Sequence, residues 1–150
     1  AVPREQFVPE AYRGVAFADT EIPIGHGQFM LSPRIEGRIL QALAPARGER
    51  ALEIGTGSGF FAACLAEMAG SVESIEIHAD LAAGAARAIS ALGISRVKIE
   101  TADVFVVGSP PVMEARLITR TAEDAWLSET LFETSVAPLL HAAETPRFQF

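Results

Sequence analysis

The chain has 150 residues, 49% of them apolar, which suffices for one buried core of ordinary domain size and excludes a disordered segment. Its 12 basic and 19 acidic side chains give a net charge of −7 with no Lys/Arg cluster, which argues against nucleic acid as a partner. A single cysteine excludes a disulfide framework and fits a reducing, cytoplasmic setting; no apolar run reaches the roughly 18 residues of a membrane span, and no basic-then-apolar leader opens the chain.

Residues 1–33 are rich in proline, glycine and aromatics without periodicity, and read as an irregular arm of the kind that covers ligands. The chain begins with Ala rather than Met, compatible with the loss of an N-terminal segment. From Pro33, Ile35, Ile39, Leu40 and Leu43 mark an amphipathic helix stopped by Pro45 and Gly48. Strand 51–54, helix 60–68, strand 72–77, helix 81–92 and strand 97–99 then alternate as a βαβαβ unit with a parallel sheet. Asp80 is the expected N-cap of the second of these helices and Gly93 its stop. Beyond Phe105, weak alternation over 112–119, turn chemistry over 121–124 and an extended pattern over 126–132 predict an antiparallel hairpin, with Trp126 on its apolar face. Residues 136–140 and a polar tail close a single domain of 150 residues.

The central feature is Ala51-Leu-Glu-Ile-Gly-Thr-Gly-Ser-Gly59, an apolar run that breaks into three alternate glycines and opens a helix at Phe60. Glycine brings backbone close to a ligand, and the helix start behind it offers free N–H groups to an anion. Glu53 precedes the turn, and Glu76 ends the next apolar run about 20 residues on, the distance at which a βαβ unit sets a carboxylate against a ribose diol. A nicotinamide dinucleotide fingerprint needs glycine or alanine where Phe60 stands, which weighs against an oxidoreductase.

Pro23-Ile-Gly-His-Gly-Gln28, the glycine run, Ser74-Ile-Glu76 and Ala102-Asp103 resemble, in order and spacing, the S-adenosylmethionine-dependent protein-L-isoaspartate O-methyltransferases. The resemblance implies a Rossmann-like class I methyltransferase, an α/β fold whose mostly parallel doubly wound sheet carries a C-terminal antiparallel hairpin. It implies that Gly55, Gly57 and Gly59 approach the methionine part and ribose of S-adenosylmethionine, with S-adenosylhomocysteine as product. It sets Glu76 on the ribose hydroxyls and Asp103 toward the adenine amino group, and draws Glu53, Thr56, Ser58 and Ile77 into the same cofactor site. The implied acceptor is a carboxylate on a protein or peptide, or a related small molecule, with neither nucleic acid nor membrane as partner.

Two departures stand out. Where the family carries Thr-x-Ser after Gly-Gln, this chain has Phe29-Met-Leu31; Ser32 comes one position late and is the residual candidate for the acceptor role. These residues point either to a changed acceptor or to a cofactor-binding paralogue serving as an interaction module. Between Phe105 and Val106 a strand-helix-strand of about 30 residues that the family pattern carries is absent from this sequence; a true deletion would leave an inner strand as an edge, and the favoured alternative is that Val106 belongs to the fifth strand, with the intervening residues left out of the sequence. Methyl transfer to an ionised carboxylate needs no general base, and His26, His78 and His141 lack metal-ligand spacing. Cys64 reads as a small buried hydrophobe. His26 reads as either a mouth-lining or a packing residue, as do Phe29, Met30 and Leu31.

Overall fold

A computed structural model describes residues 1–102, 113–122 and 125–134, the last two stretches as backbone. The chain divides into two compact units, Ala1–Val104 and Phe105–Phe150.

In the first unit, strands β3 (Arg50–Ile54), β4 (Ser71–Glu76) and β5 (Val97–Thr101) form a parallel sheet in the order β3-β4-β5. The register runs from Arg50 opposite Ser71 to Ile54 opposite Ile75, and from Val72 opposite Val97 to Glu76 opposite Thr101. The sheet therefore carries the glycine turn and Glu76 together at its carboxyl end, where open α/β sheets bind ligands. Helices α2 (Phe60–Met68) and α3 (Ala79–Ala91) make the crossovers. Gly93, at φ +70°, ends α3 in a Schellman motif: the Gly93 N–H donates to the Ser90 carbonyl and the Ile94 N–H to that of Ile89.

Asp80 does not cap α3. His78 is the N-cap residue and makes no side-chain capping bond, while Asp80 lies in the first turn, its carboxylate engaged by His26. The helix starts two residues early because its first turn is held from outside by the arm.

The arm is more ordered than its composition predicts. Two 3₁₀ turns, Arg4–Gln6 and Glu10–Val15, precede a small antiparallel hairpin of β1 (Ile22–Gly25) and β2 (Gln28–Met30). Phe7, Val8, Ala16, Ile22 and Met30 pack into one core with Ala62, Ala63, Leu65, Ala66, Val72 and Ile89. The tie is Arg4, which is buried although charged. Its Nε donates to the Ala16 carbonyl (2.7 Å), Nη2 to the Leu31 carbonyl (2.6 Å) and Nη1 to Glu36, and its guanidinium lies 4.8 Å from the Phe60 ring centroid.

Helix α1 (Pro33–Leu43) has the predicted bounds but not the predicted face. Its buried residue is Glu36, drawn inward by Arg4, while Ile35, Ile39 and Leu40 are only half-buried and Leu43 is exposed. Burial pushes the Glu36 carboxyl up to about 7 against the pull of Arg4. Among the described residues β3 is an outer strand of its sheet, with Leu52 62% exposed.

The second unit contains the expected antiparallel hairpin, β6 (Met113–Ala122) and β7 (Ala125–Thr134). Its strands run further than the predicted turn allowed, through Thr121 and Ala122. The 105–106 junction, residues 136–140, His141 and the side chain of Trp126 lie outside the described residues.

Removing one partner of a buried ion pair strands the other charge. Arg4→Ala should therefore lower the free energy of unfolding by about 3–5 kcal/mol at pH 8, measured by urea denaturation. The loss should shrink at pH 5, where Glu36 can take up a proton; equal stability of variant and wild type at pH 8 would show that Arg4 does not organise the arm.

Candidate cofactor site

The glycine turn folds back on β4. The N–H groups of Gly55 and Thr56 both donate to the Ile75 carbonyl (2.8 and 3.2 Å), and the Gly59 N–H closes the turn on the Thr56 carbonyl (2.9 Å). Gly55, Gly57 and Gly59 have φ of +90°, +53° and +86°, a backbone in which side chains are strained. Two have a packing reason as well. A Cβ on Gly59 would stand 2.8 Å from the Ala85 Cβ of α3, and one on Gly57 would stand 3.0 Å from Ile24 Cδ1. At Gly55 a Cβ would meet open space, so its glycine is called for by the backbone conformation alone.

Glu76 is buried at the end of β4 and fixed from two sides. Its Oε2 accepts the Gly57 N–H (2.8 Å) and its Oε1 the His78 N–H (3.0 Å). Each carboxylate oxygen keeps acceptor capacity beyond these bonds, in a rotamer already set. Glu53 lies behind the turn and accepts a hydrogen bond from the Ser74 hydroxyl, which also pairs with Thr56 Oγ1 at 2.5 Å. Burial pushes Glu53 up to about 7 against the Ser74 bond, with Glu76 and Glu36 adding repulsion.

A cleft of about 220 Å³ opens beside the turn. Glu53, Gly55, Thr56, Gly57 and Ser58 line it together with Phe29, Leu31 and Glu36. The structure thus brings Glu53 and the glycine turn to one cleft and hangs Glu76 on the Gly57 amide. Ile77 lies just past the strand, half-buried, and Asp103 is outside the described residues. Ser32 is buried at the N-cap of α1 without a capping bond and is not among the cleft's lining residues. All three residues of the apolar triplet line the cleft, Phe29 half-exposed and Met30 at the same time buried in the core. Cys64 is half-buried in α2, and burial pushes its thiol up to about 12, as suits a packing residue. Among the described residues no group of His, Cys, Asp and Glu could hold a metal ion, and no helix is long and apolar enough to cross a membrane.

Sequence reasoning missed Glu36, Ser74 and Ile24 as parts of this site. Glu36 interrupts the apolar face of its helix, and that interruption was the available signal.

The family model described as protein-L-isoaspartate(D-aspartate) O-methyltransferase matches residues 1–111. The chain belongs to this family. Protein-L-isoaspartate O-methyltransferase 1 of Rhodopseudomonas palustris (strain HaA2) is 49% identical over 102 residues, 68% of this chain and 42% of that protein. A relative from Ignicoccus hospitalis is 38% identical over 135 residues, 88% of this chain and 64% of its own length. The chain spans about half the length of the curated relatives it matches. Among solved structures, one described as a protein-L-isoaspartate O-methyltransferase from Plasmodium falciparum with S-adenosyl-L-homocysteine superposes with a TM-score of 0.69. It is 20% identical, with 92% of this chain and 86% of that chain covered, and so speaks for the fold. That fold is the class I methyltransferase one, as the resemblance implied.

The raised Glu53 carboxyl has a consequence for stability. Its folded value, about 7, exceeds its ordinary 4.5, so its contribution is fully present below pH 4.5 and is lost as pH rises through 7. Glu53→Gln should flatten part of that decline and, at pH 8, exceed wild type by about 2–3 kcal/mol in urea unfolding. A variant less stable than wild type at pH 8 would show that the ionised carboxylate is the favoured native form.

Proposed function

We propose that this chain binds S-adenosylmethionine and methylates the free α-carboxylate of isoaspartyl residues in proteins and peptides. The observation that carries the reading is the Glu76 carboxylate, fixed by the Gly57 and His78 amides at the carboxyl end of the sheet, with acceptor capacity left for the two hydroxyls of a ribose. The glycine turn fits the same ligand: Gly55 leaves open the space a side chain would fill. The names its relatives carry agree.

In this reading Gly55, Thr56, Gly57, Ser58 and Gly59 hold the methionine part and ribose, Glu53 lies at the methionine end, Ile77 follows the ribose and Asp103 meets the adenine amino group. The bound cofactor supplies an electrophilic methyl group for in-line displacement by the acceptor oxygen. The chain's own task is positioning and the exclusion of water. Phe29 and Leu31, lining the cleft beside the turn, keep it apolar where the family has hydroxyls. The acceptor carboxylate is ionised at neutral pH, so no side chain has to remove a proton from it.

Calorimetric titration should show saturable binding of S-adenosylhomocysteine, weakened by about 1.5–3 kcal/mol in Glu76→Ala. The wild type should then transfer methyl groups to an isoaspartyl peptide and not to its aspartyl counterpart. Absence of cofactor binding would overturn the whole reading; binding without transfer would overturn the acceptor alone.

A further inference from the structure

Two histidines and an aspartate gather where the arm crosses the glycine turn. His26 forms the tip of the β1–β2 hairpin. Its Nε2 donates to both carboxylate oxygens of Asp80, at 3.0 and 2.9 Å, and its ring stacks on that of His78, with centroids 4.0 Å apart and planes 13° from parallel. His78 in turn donates its backbone N–H to Glu76.

We propose that His26 and Asp80 are positioning residues that latch the β1–β2 hairpin over the glycine turn and so set how long a bound cofactor is retained. The inference rests on the reading of that turn as an S-adenosylmethionine site. Three observations carry it. First, the hairpin covers the turn: Ile24 stands where a Gly57 side chain would be, and it lines the clefts on both sides of the turn. Second, the hairpin is too small to hold itself. Its strands have four and three residues with an irregular register between Pro23 and Gly25, and two-stranded hairpins of this size are marginal without outside contacts.

Third, the tip is built to aim one side chain. Gly25, His26 and Gly27 have φ of +103°, +53° and +69°. A histidine in that backbone is strained, and strain of this kind persists where surrounding contacts compensate it. Here the compensation comes from the Asp80 bonds and the His78 stack.

The latch is also poised to open. His78 Nε2 is buried without a hydrogen-bond partner, so lifting His26 off the ring would let water reach it, offsetting part of what opening loses. The His26–Asp80 pair is exposed enough to be screened, so the expected effects are several-fold.

His26 faces two titratable groups, His78 beneath its ring and Asp80 at its edge, with Glu76 one hydrogen bond beyond His78. The hydrogen bond from His26 holds the Asp80 carboxyl below its ordinary range.

The test is stopped-flow release of S-adenosylhomocysteine, with amide exchange of residues 25–28 corrected for intrinsic rates. His26→Gly keeps the left-handed backbone while removing the ring. It should release the ligand about three- to tenfold faster and expose the tip amides. Asp80→Ala should resemble His26→Gly, and Asp80→Glu should recover most of the wild-type behaviour. Wild-type release and exchange in His26→Gly, or a failure of Asp80→Glu to recover what Asp80→Ala loses, would overturn the latch. If wild type binds no S-adenosylhomocysteine, the methyltransferase reading fails and the retention claim with it; faster tip exchange in His26→Gly would still support the latch itself, and unchanged exchange would overturn it.

Discussion

Arg4 is the contact on which the rest of the first unit depends. One guanidinium meets the end of the second 3₁₀ turn at Ala16, the end of β2 at Leu31, α1 at Glu36 and the start of α2 at Phe60. A planar group with a fixed fork of five donors can reach several acceptors in set directions, where a lysine offers three rotatable donors at one point. Burying it requires that its charge be matched and its donors satisfied, and the inward turn of Glu36 meets that need. The arrangement explains why the apolar stripe of α1 is only half-covered: the helix is oriented by its acid.

What Arg4 orders is the cover of the candidate cofactor site. With Ala16 and Leu31 fixed, the chain between them forms the β1–β2 hairpin, and Ile24 comes to rest on Gly57. The turn below is held by the Ile75 carbonyl and by Glu76. Glycine is required there from two directions, from the left-handed backbone and from the neighbours above and behind. An alanine at Gly59 would have to displace α3, so the third glycine serves packing, while Gly55 answers only to its left-handed backbone.

The parts of this architecture carried by local pattern were legible in the sequence. The glycine run, the strand ending at Glu76, the helix 60–68 and the Gly93 stop all follow from nearest-neighbour chemistry, and the structure has them within one or two residues. The arm was not legible as structure because its order comes from partners far along the chain: Arg4 with Glu36, His26 with Asp80. A hairpin with strands of four and three residues has too few alternating positions to announce itself. The N-cap of α3 failed for the same reason. Asp80 has the right chemistry for a cap, and a contact 54 residues away in sequence employs that carboxylate otherwise. Ser32 stood out by spacing alone, and spacing cannot show that its helix start turns it from the cleft.

The cleft poses an electrostatic problem that the structure also answers. In the proposed reaction an acceptor carboxylate approaches residues among which Glu36 and Glu53 both stand, and two ionised acids would repel it. Both carboxyls are pushed by burial up to about 7, so near neutral pH each spends a large fraction of its time uncharged, and Arg4 offsets the charge of Glu36 when it is ionised. Replacing hydroxyls with Phe29 and Leu31 strengthens this effect, because an apolar wall lowers the local dielectric and favours the neutral acids further. In the proposed reaction the same wall leaves the incoming carboxylate poorly solvated, which raises its reactivity toward a methyl donor while weakening its binding, so the departure from the family pattern at Phe29 and Leu31 is compatible with carboxyl chemistry.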